Sequence, residues 1–341
     1  MRSRPEKILA LQFKYFGDAV LMTPALRALR ERFPEGEIHL LVPHEIAPLF
    51  QHLPWLTRVW AMPRRRGRAG LLETWPLIRA LRGQRFDRSV DFASNDRGAL
   101  LSFLIGARRR LGWDERGGFL GRRFLYTERA EPDGNPVHES LRLAKLLAPW
   151  QIPLSRSLAP EICADDSLSA AAGQILSEPD SILCHLASSQ IKKEWPVAHW
   201  VALHCLAADS GLRLVFASGV GKREEQLLNQ FKCLAPRAMT VSPIPDLGLY
   251  LAVLKRAAVF VSADTGPLHF AAGLGVPVVA LFGPTDPRRW APVGGTHRVL
   301  SAARCSCAGG VAVCQSAVPC MATILPERVL AEIRSVLTAS R

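Results

Sequence analysis

Residues 261–287, VSADTGPLHFAAGLGVPVVALFGPTDP, join an apolar run to a loop, a small-residue helix and a second apolar run. The first run, residues 258–262, ends in Ala263-Asp264-Thr265-Gly266, and a helix is predicted from about Pro267, where a missing backbone N–H does no harm. A junction of this kind leaves N–H groups unpaired. With the helix dipole and the Thr265 hydroxyl they form a cradle for a phosphate. Asp264 at its mouth would repel a phosphate that it faced, so it is expected to bind N–H or hydroxyl groups and shape the loop. Ala271, Ala272, Gly273 and Gly275 let the helix lie close to the sheet before a buried strand over residues 276–282. A second loop, Gly283-Pro284-Thr285-Asp286-Pro287, follows at the same edge. An ordinary buried βαβ unit in which Asp264 caps a helix fits the same residues.

Working outward, 341 residues are enough for two domains, and 48% hydrophobic with 21% charged residues is the balance of a globular chain. The opening MRSRPEKILALQF has an apolar run too short for a secretory core, and no uncharged run reaches the length of a membrane span without Gly and Pro. The expectation is a cytoplasmic protein without a transmembrane helix. Of eight cysteines, Cys163, Cys184, Cys205 and Cys233 lie in apolar surroundings and read as core; a disulfide framework is not expected. Charge is uneven: residues 1–150 hold 26 Lys+Arg against 16 Asp+Glu, residues 151–341 hold 17 against 14. The first half is the one expected to meet an anion.

That half opens with an apolar strand, residues 7–13, and a turn Lys14-Tyr15-Phe16-Gly17-Asp18 into a helix over residues 19–33, with Pro24 in or near its first turn. The turn stands at a strand end, where open α/β sheets place ligands. Asp18 is the only carboxylate within ten residues on either side; a helix N-cap is one reading of it. A strand is predicted at 37–42 and a helix near 45–52, followed by Arg64, Arg65, Arg66 and Arg68 beside Gly and Pro. Arginine forks suit phosphate and carboxylate oxygens, and a solvated charge run is the plainer reading. Nucleic acid is disfavoured, because no binding motif or aromatic interleaving accompanies the basic runs. A helix at 71–83 and a strand at 85–92 lead to Ser94-Asn95-Asp96-Arg97 at the ligand edge. Residues 100–107 are apolar and fringed by Arg108, Arg109, Arg110, Arg116, Arg122 and Arg123, which suits either an anionic membrane surface or core. After a helix at 138–148, the proline-rich residues 149–160 mark the domain boundary and a hinge.

The second half predicts a helix at 165–176 and a strand at 181–186, then Ser188, Ser189, Lys192 and Lys193 past the strand end. Two hydroxyls and two lysines there suit a diphosphate; an exposed loop whose Trp195 anchors a helix at 197–209 is the alternative. A strand at 212–217 ends in Ser218-Gly219-Val220-Gly221, which is no dinucleotide fingerprint. A strand near 239–242 and a helix at 247–256 return the chain to the opening stretch. Cys305, Cys307, Cys314 and Cys320 have spacers of one, six and five residues, unlike paired zinc ligands, and a catalytic metal is not expected. A last helix at 326–337 is expected to pack back on the first domain.

SADTGPLHFAAGLGVPVVALFGPTDP resembles the C-terminal signature of the ADP-heptose:lipopolysaccharide heptosyltransferases, glycosyltransferase family 9. FGDAVLMTPALRAL near the start and KKEWPVAHW in the middle resemble the same family in the same order. The resemblance implies an α/β GT-B fold of two doubly wound Rossmann-like domains facing across a cleft: an acceptor domain, residues 1–155, and a nucleotide-sugar domain, residues 156–341. It implies heptose transfer from ADP-heptose to lipid A–Kdo or heptosyl-Kdo with inversion. Asp18 would be the base and Lys193 would stabilise the leaving group, with Ser188, Ser189, Asp264, Thr265, Gly266 and His269 around the nucleotide sugar. Glu224 matches the family's ribose-binding acid, although Arg223 stands where an acid is also expected. Lys14, Arg64, Arg65, Arg66 and Arg68 would hold the anionic acceptor. No cofactor or metal, a monomer, and a peripheral place at the cytoplasmic face of the inner membrane complete the expectation. A family 9 enzyme with another sugar or a protein or glycan acceptor, and a non-catalytic nucleotide-sugar binding protein, are the rival readings.

Overall fold

The computed structural model describes residues 4–63, 71–115, 118–119, 121–132, 134, 137–178, 180–303, 305, 314 and 316–339. The acceptor residues Arg64, Arg65, Arg66 and Arg68, together with Arg116 and Cys307, lie outside the described residues. The chain divides after Cys163 into two compact units. Residues 156–163 therefore go with the first unit, to which Glu161 is tied by bonds with Arg27 and with the Thr23 hydroxyl.

In the first unit β1 (Lys7–Leu11), β2 (Glu37–Pro43), β3 (Arg58–Met62), β4 (Arg88–Asp91), β5 (Arg109–Trp113) and β6 (Glu128–Ala130) form one parallel sheet in the order β3-β2-β1-β4-β5-β6. In the second, β7 (Ile182–His185), β8 (Leu214–Ala217), β9 (Met239–Thr240), β10 (Val259–Ala263), β11 (Val278–Phe282) and β12 (Arg298–Ser301) give β12-β11-β10-β7-β8-β9. Counted from its own first strand, each sheet has the doubly wound order 3-2-1-4-5-6. Central strands are buried on both faces, as a helix-covered parallel sheet requires: every residue of β10 and β11 is buried, with Val261 opposite Val279. The order reverses between β1 and β4, and again between β7 and β10, so a ligand crevice is expected at the C-terminal ends of those two pairs.

Several local expectations change. The helix foreseen at 19–33 is two helices, Phe16–Leu21 and Thr23–Arg32, and Pro24 sits in the first turn of the second, where its missing N–H is not needed by that helix. Residues 45–52 hold only a single 3₁₀ turn, Ala47–Leu49. Residues 109–113 form the strand β5, in which Arg109 pairs with Glu128 of β6 and Arg110 donates to the Leu125 and Ala107 carbonyls. Residues 100–107 divide between both readings: Leu101, Ile105 and Ala107 are core, while Leu100 and Phe103 face solvent. Cys184 is buried, but Cys205 and Cys233 are exposed, so only part of that cysteine set is core. The last helix, Pro326–Ala339, belongs to the second unit, packed on the helix Val197–Ala208 and on β10, β11 and β12. Among the described residues, no helix is long and apolar enough to cross a membrane.

Candidate active site

The loop after β7 carries Ser188 and Ser189, and the loop after β10 carries Asp264, Thr265 and Gly266; adjacent parallel strands bring the two loops together. Ser188, almost fully buried, reaches the Asp264 carbonyl with its hydroxyl at 3.5 Å, while Ser189 is exposed. A 3₁₀ turn, Ile191–Lys193, turns the Lys193 ammonium onto Asp264, Nζ to Oδ2 2.7 Å, with both side chains mostly buried. That is the N–H contact expected of Asp264. His269 follows one helical turn later, its Nε2 3.9 Å from Asp264 Oδ1. The helix Gly266–Gly273 begins at Thr265 without a side-chain cap, and Pro267 lies in its first turn.

Glu194, which the sequence does not single out, and Arg223 brace this loop. Glu194 accepts from the Ser188 backbone N–H (3.0 Å) and from Arg223 (2.6 Å), and Arg223 also donates to the Ser188 carbonyl. Arg223 thus clamps the loop after β7 instead of occupying an acid's place. Glu224 turns back on its own helix, Lys222–Leu234, accepting from the Gly221 N–H at 3.2 Å. A Cβ at position 219 would stand 2.0 Å from Glu224 Oε2, so a larger residue there would push the Glu224 carboxylate aside. Trp195 is buried; it stacks on His199 and donates to the Ile324 carbonyl (2.9 Å), locking the KKEW segment to the unit's core.

In the first unit, Asp18 lies in the first turn of the helix Phe16–Leu21, whose N-cap position is Tyr15. The N-cap reading of Asp18 is therefore corrected: at the third helical position its carboxylate serves the helix dipole rather than capping. Burial raises the Asp18 carboxyl above the usual carboxylate range. Lys14 opposes the shift, Glu139 adds to it, and Arg142 opposes it again. Lys14 also acts on Asp91 at the end of β4, which burial pushes up to about 6. Asp91 accepts from the Ala93 and Ser94 N–H groups and from the Tyr126 hydroxyl (2.7 Å). Glu139, Arg142, Asp91 and Tyr126 are among the first unit's polar residues that the sequence does not single out.

Residues 74–315 match the family model described as glycosyltransferase family 9 (heptosyltransferase). The chain belongs to glycosyltransferase family 9. Across the family, it is 26% identical over 312 residues to lipopolysaccharide heptosyltransferase 2 of Escherichia coli K12, covering 86% of this chain and 87% of that protein. With lipopolysaccharide heptosyltransferase 3 of Escherichia coli it shares 22% over 289 residues, covering 82% and 84%. The solved family 9 glycosyltransferase of Veillonella parvula superposes with a TM-score of 0.84 at 19% identity, covering 99% of both chains. The E. coli ADP-heptose lipopolysaccharide heptosyltransferase II does so at 0.79 and 21%, covering 98% and 99%. The fold of this family 9 transferase is accordingly GT-B, built of two Rossmann-like domains.

Proposed function

We propose that this transferase moves heptose from ADP-heptose to the inner core of lipopolysaccharide, on Kdo-lipid A or heptosyl-Kdo, with inversion at the sugar carbon. The observation that carries the reading is one acid and one lysine at corresponding strand ends of two like sheets: Asp18 after β1 and Lys193, held by Asp264, after β7. Asp18, its proton affinity raised by burial, takes the proton of the acceptor hydroxyl as that oxygen attacks the sugar carbon. The bond to ADP breaks on the opposite face, and a single displacement inverts the carbon. Lys193 has two further N–H donors for the departing diphosphate, and the uncapped helix start at Thr265-Gly266 adds its dipole. Ser188, Ser189 and His269 complete the donor side, and the Glu224 oxygen not spent on Gly221 takes the ribose hydroxyls. E. coli family members solved with ADP and with ADP-2-deoxy-2-fluoro heptose support this donor. Lys14 and the arginines at 64, 65, 66 and 68 serve the anionic acceptor. Ammonium and N–H groups offset the diphosphate charge in this reading, so no divalent cation takes part.

The protein is read as a monomer working peripherally at the cytoplasmic face of the inner membrane. Exposed Leu100, Phe103 and Phe124 support this, with Arg110 stacked at 5.6 Å over Phe103 and Arg123 at 5.9 Å over Phe124. Phe103→Asp with Phe124→Asp should lower cosedimentation with phosphatidylglycerol vesicles several-fold; unchanged binding removes this face from the account.

The central test follows ADP release from ADP-heptose, with and without Kdo-lipid A and with or without chelator, for wild type and Asp18→Asn. Acceptor-dependent, chelator-insensitive release that falls about 10²- to 10⁴-fold in Asp18→Asn, with donor binding retained, is the expected result. Tight donor binding without turnover on any lipid A core acceptor would reject the acceptor.

A further inference from the structure

We propose that the ion pair Glu139–Arg142 is a positioning element that tunes the Asp18 carboxylate electrostatically; this rests on reading Asp18 as the base. Glu139 is only 1% exposed and opens the helix Glu139–Lys145. One turn on, Arg142 holds both of its oxygens, with Nε at 3.0 and 3.1 Å and Nη2 at 2.6 Å, and lies over the Trp113 ring. This helix packs on Phe16–Leu21, which brings an acid and a base together within electrostatic reach of Asp18.

The surroundings of Asp18 make the pair the element to vary. Its own loop contributes Lys14, whose charge is shared with Asp91. The other helix packed on Phe16–Leu21 is Thr23–Arg32, and its charges are engaged elsewhere. Arg27 pairs with Glu161, Arg30 donates to the carbonyls of Trp55, Phe33, Pro34 and Gly36, Glu31 meets Ser155, and Arg32 lies over Phe33. Glu139 and Arg142 push the proton affinity of Asp18 in opposite directions. Each member keeps the other's buried charge compensated, so the pair holds a fixed dipole beside the base instead of a net charge. Substituting one member leaves the other's charge acting on Asp18 without its partner's counter-charge, beside the standing charge of Lys14 and, for Arg142, that of Glu115.

The test is the acidic limb of kcat/KM against pH, read together with an NMR titration of the Asp18 side-chain carboxyl, assigned by its loss in Asp18→Asn. Glu139→Gln leaves Arg142 and should move both readouts to lower pH by about half a unit or more. Arg142→Gln leaves Glu139 and should move them to higher pH. The double variant Glu139→Gln/Arg142→Gln buries no orphan charge and should return them close to wild type, which covers a single variant that fails to fold. Unmoved readouts, shifts of the same sign in both single variants, or lost activity without a shift would overturn the proposal. If Asp18→Asn keeps full activity, the base assignment fails, and the carboxyl titration still decides whether the pair acts on Asp18.

Discussion

The two units share one strand order and differ in how they finish the same place, the loop after the fourth strand. In the first unit that loop is closed by side chains of its own and by Tyr126. Asp91 takes the Ala93 and Ser94 N–H groups and the Tyr126 hydroxyl, and Asn95 caps the helix Asp96–Ile105 through the Gly98 N–H. In the second unit the corresponding acid, Asp264, is turned to Lys193, and no side chain caps the helix Gly266–Gly273. An anion approaching the first loop finds its donors taken and a buried carboxyl; at the second it meets an ammonium and an open helix start. A doubly wound sheet offers a crevice, and the residues after the fourth strand decide what the crevice will accept.

Lys193→Ala attacks that difference most directly. It removes the ammonium and leaves Asp264, mostly buried, without its 2.7 Å partner. Turnover should fall about 10²- to 10³-fold, on the scale of losing one charge-stabilising donor. The double variant Lys193→Ala/Asp264→Asn separates the causes. If it recovers folding stability but not turnover, the lysine acts on substrate; recovery of both would make the pair structural and remove the second unit's claim to the leaving group. Equilibrium unfolding and steady-state ADP release, measured on the same preparations, supply the two readouts.

Much of this contrast was legible in the sequence where chemistry is local. The loop 263–266, the helix from Gly266 and the KKEW segment each carry their signal within a few residues, and the structure brings Ser188, Lys193 and Asp264 together. What was not legible depends on contacts between distant segments. β5 reads as a charge run because Arg109 and Arg110 find their partners only when Glu128 and Leu125 arrive from the next segment. Asp91 looks like an unremarkable strand end until Tyr126 is brought to it. Arg223 reads as standing in an acid's place because its partner, Glu194, belongs to another loop. The cap reading of Asp18 fails because the helix Phe16–Leu21 starts before residue 19, where the sequence places it.

A smaller effect, on stability alone, tests how firmly the first loop is closed. A Cβ on Gly98 would stand 2.2 Å from Asp91 Oδ2, the oxygen that Tyr126 holds. The carboxylate is fixed from both sides and cannot give way cheaply, so Gly98→Ala should cost about 1–3 kcal/mol in a urea titration. A neutral result would mean that the Asp91 loop yields and that the contrast with the second unit is one of degree.

The mildest prediction concerns pH, and its sign separates a closed loop from an anion site. The folded Asp91 carboxyl titrates at about 6, above the ordinary value near 3.8, because burial penalises its charge more than the Tyr126, Ser94 and Ala93 bonds repay. Between those two values the folded protein holds a proton that the unfolded chain has lost. Stability from this group is therefore full below about pH 4 and is lost as pH rises from there through about 6, by an amount on the order of 3 kcal/mol. Asp91→Asn cannot titrate, so its stability should lack this decline, and the deficit relative to wild type should shrink between about pH 4 and 6 and level off above. Chemical denaturation at four or five pH values across that window reads the difference directly. A gap that widens with pH would mean that Asp91 gains from being charged in the folded state, as an acid paired with a cation would. The first loop would then resemble the Lys193–Asp264 arrangement of the second, and the distinction between one closed crevice and one open to anions would fail.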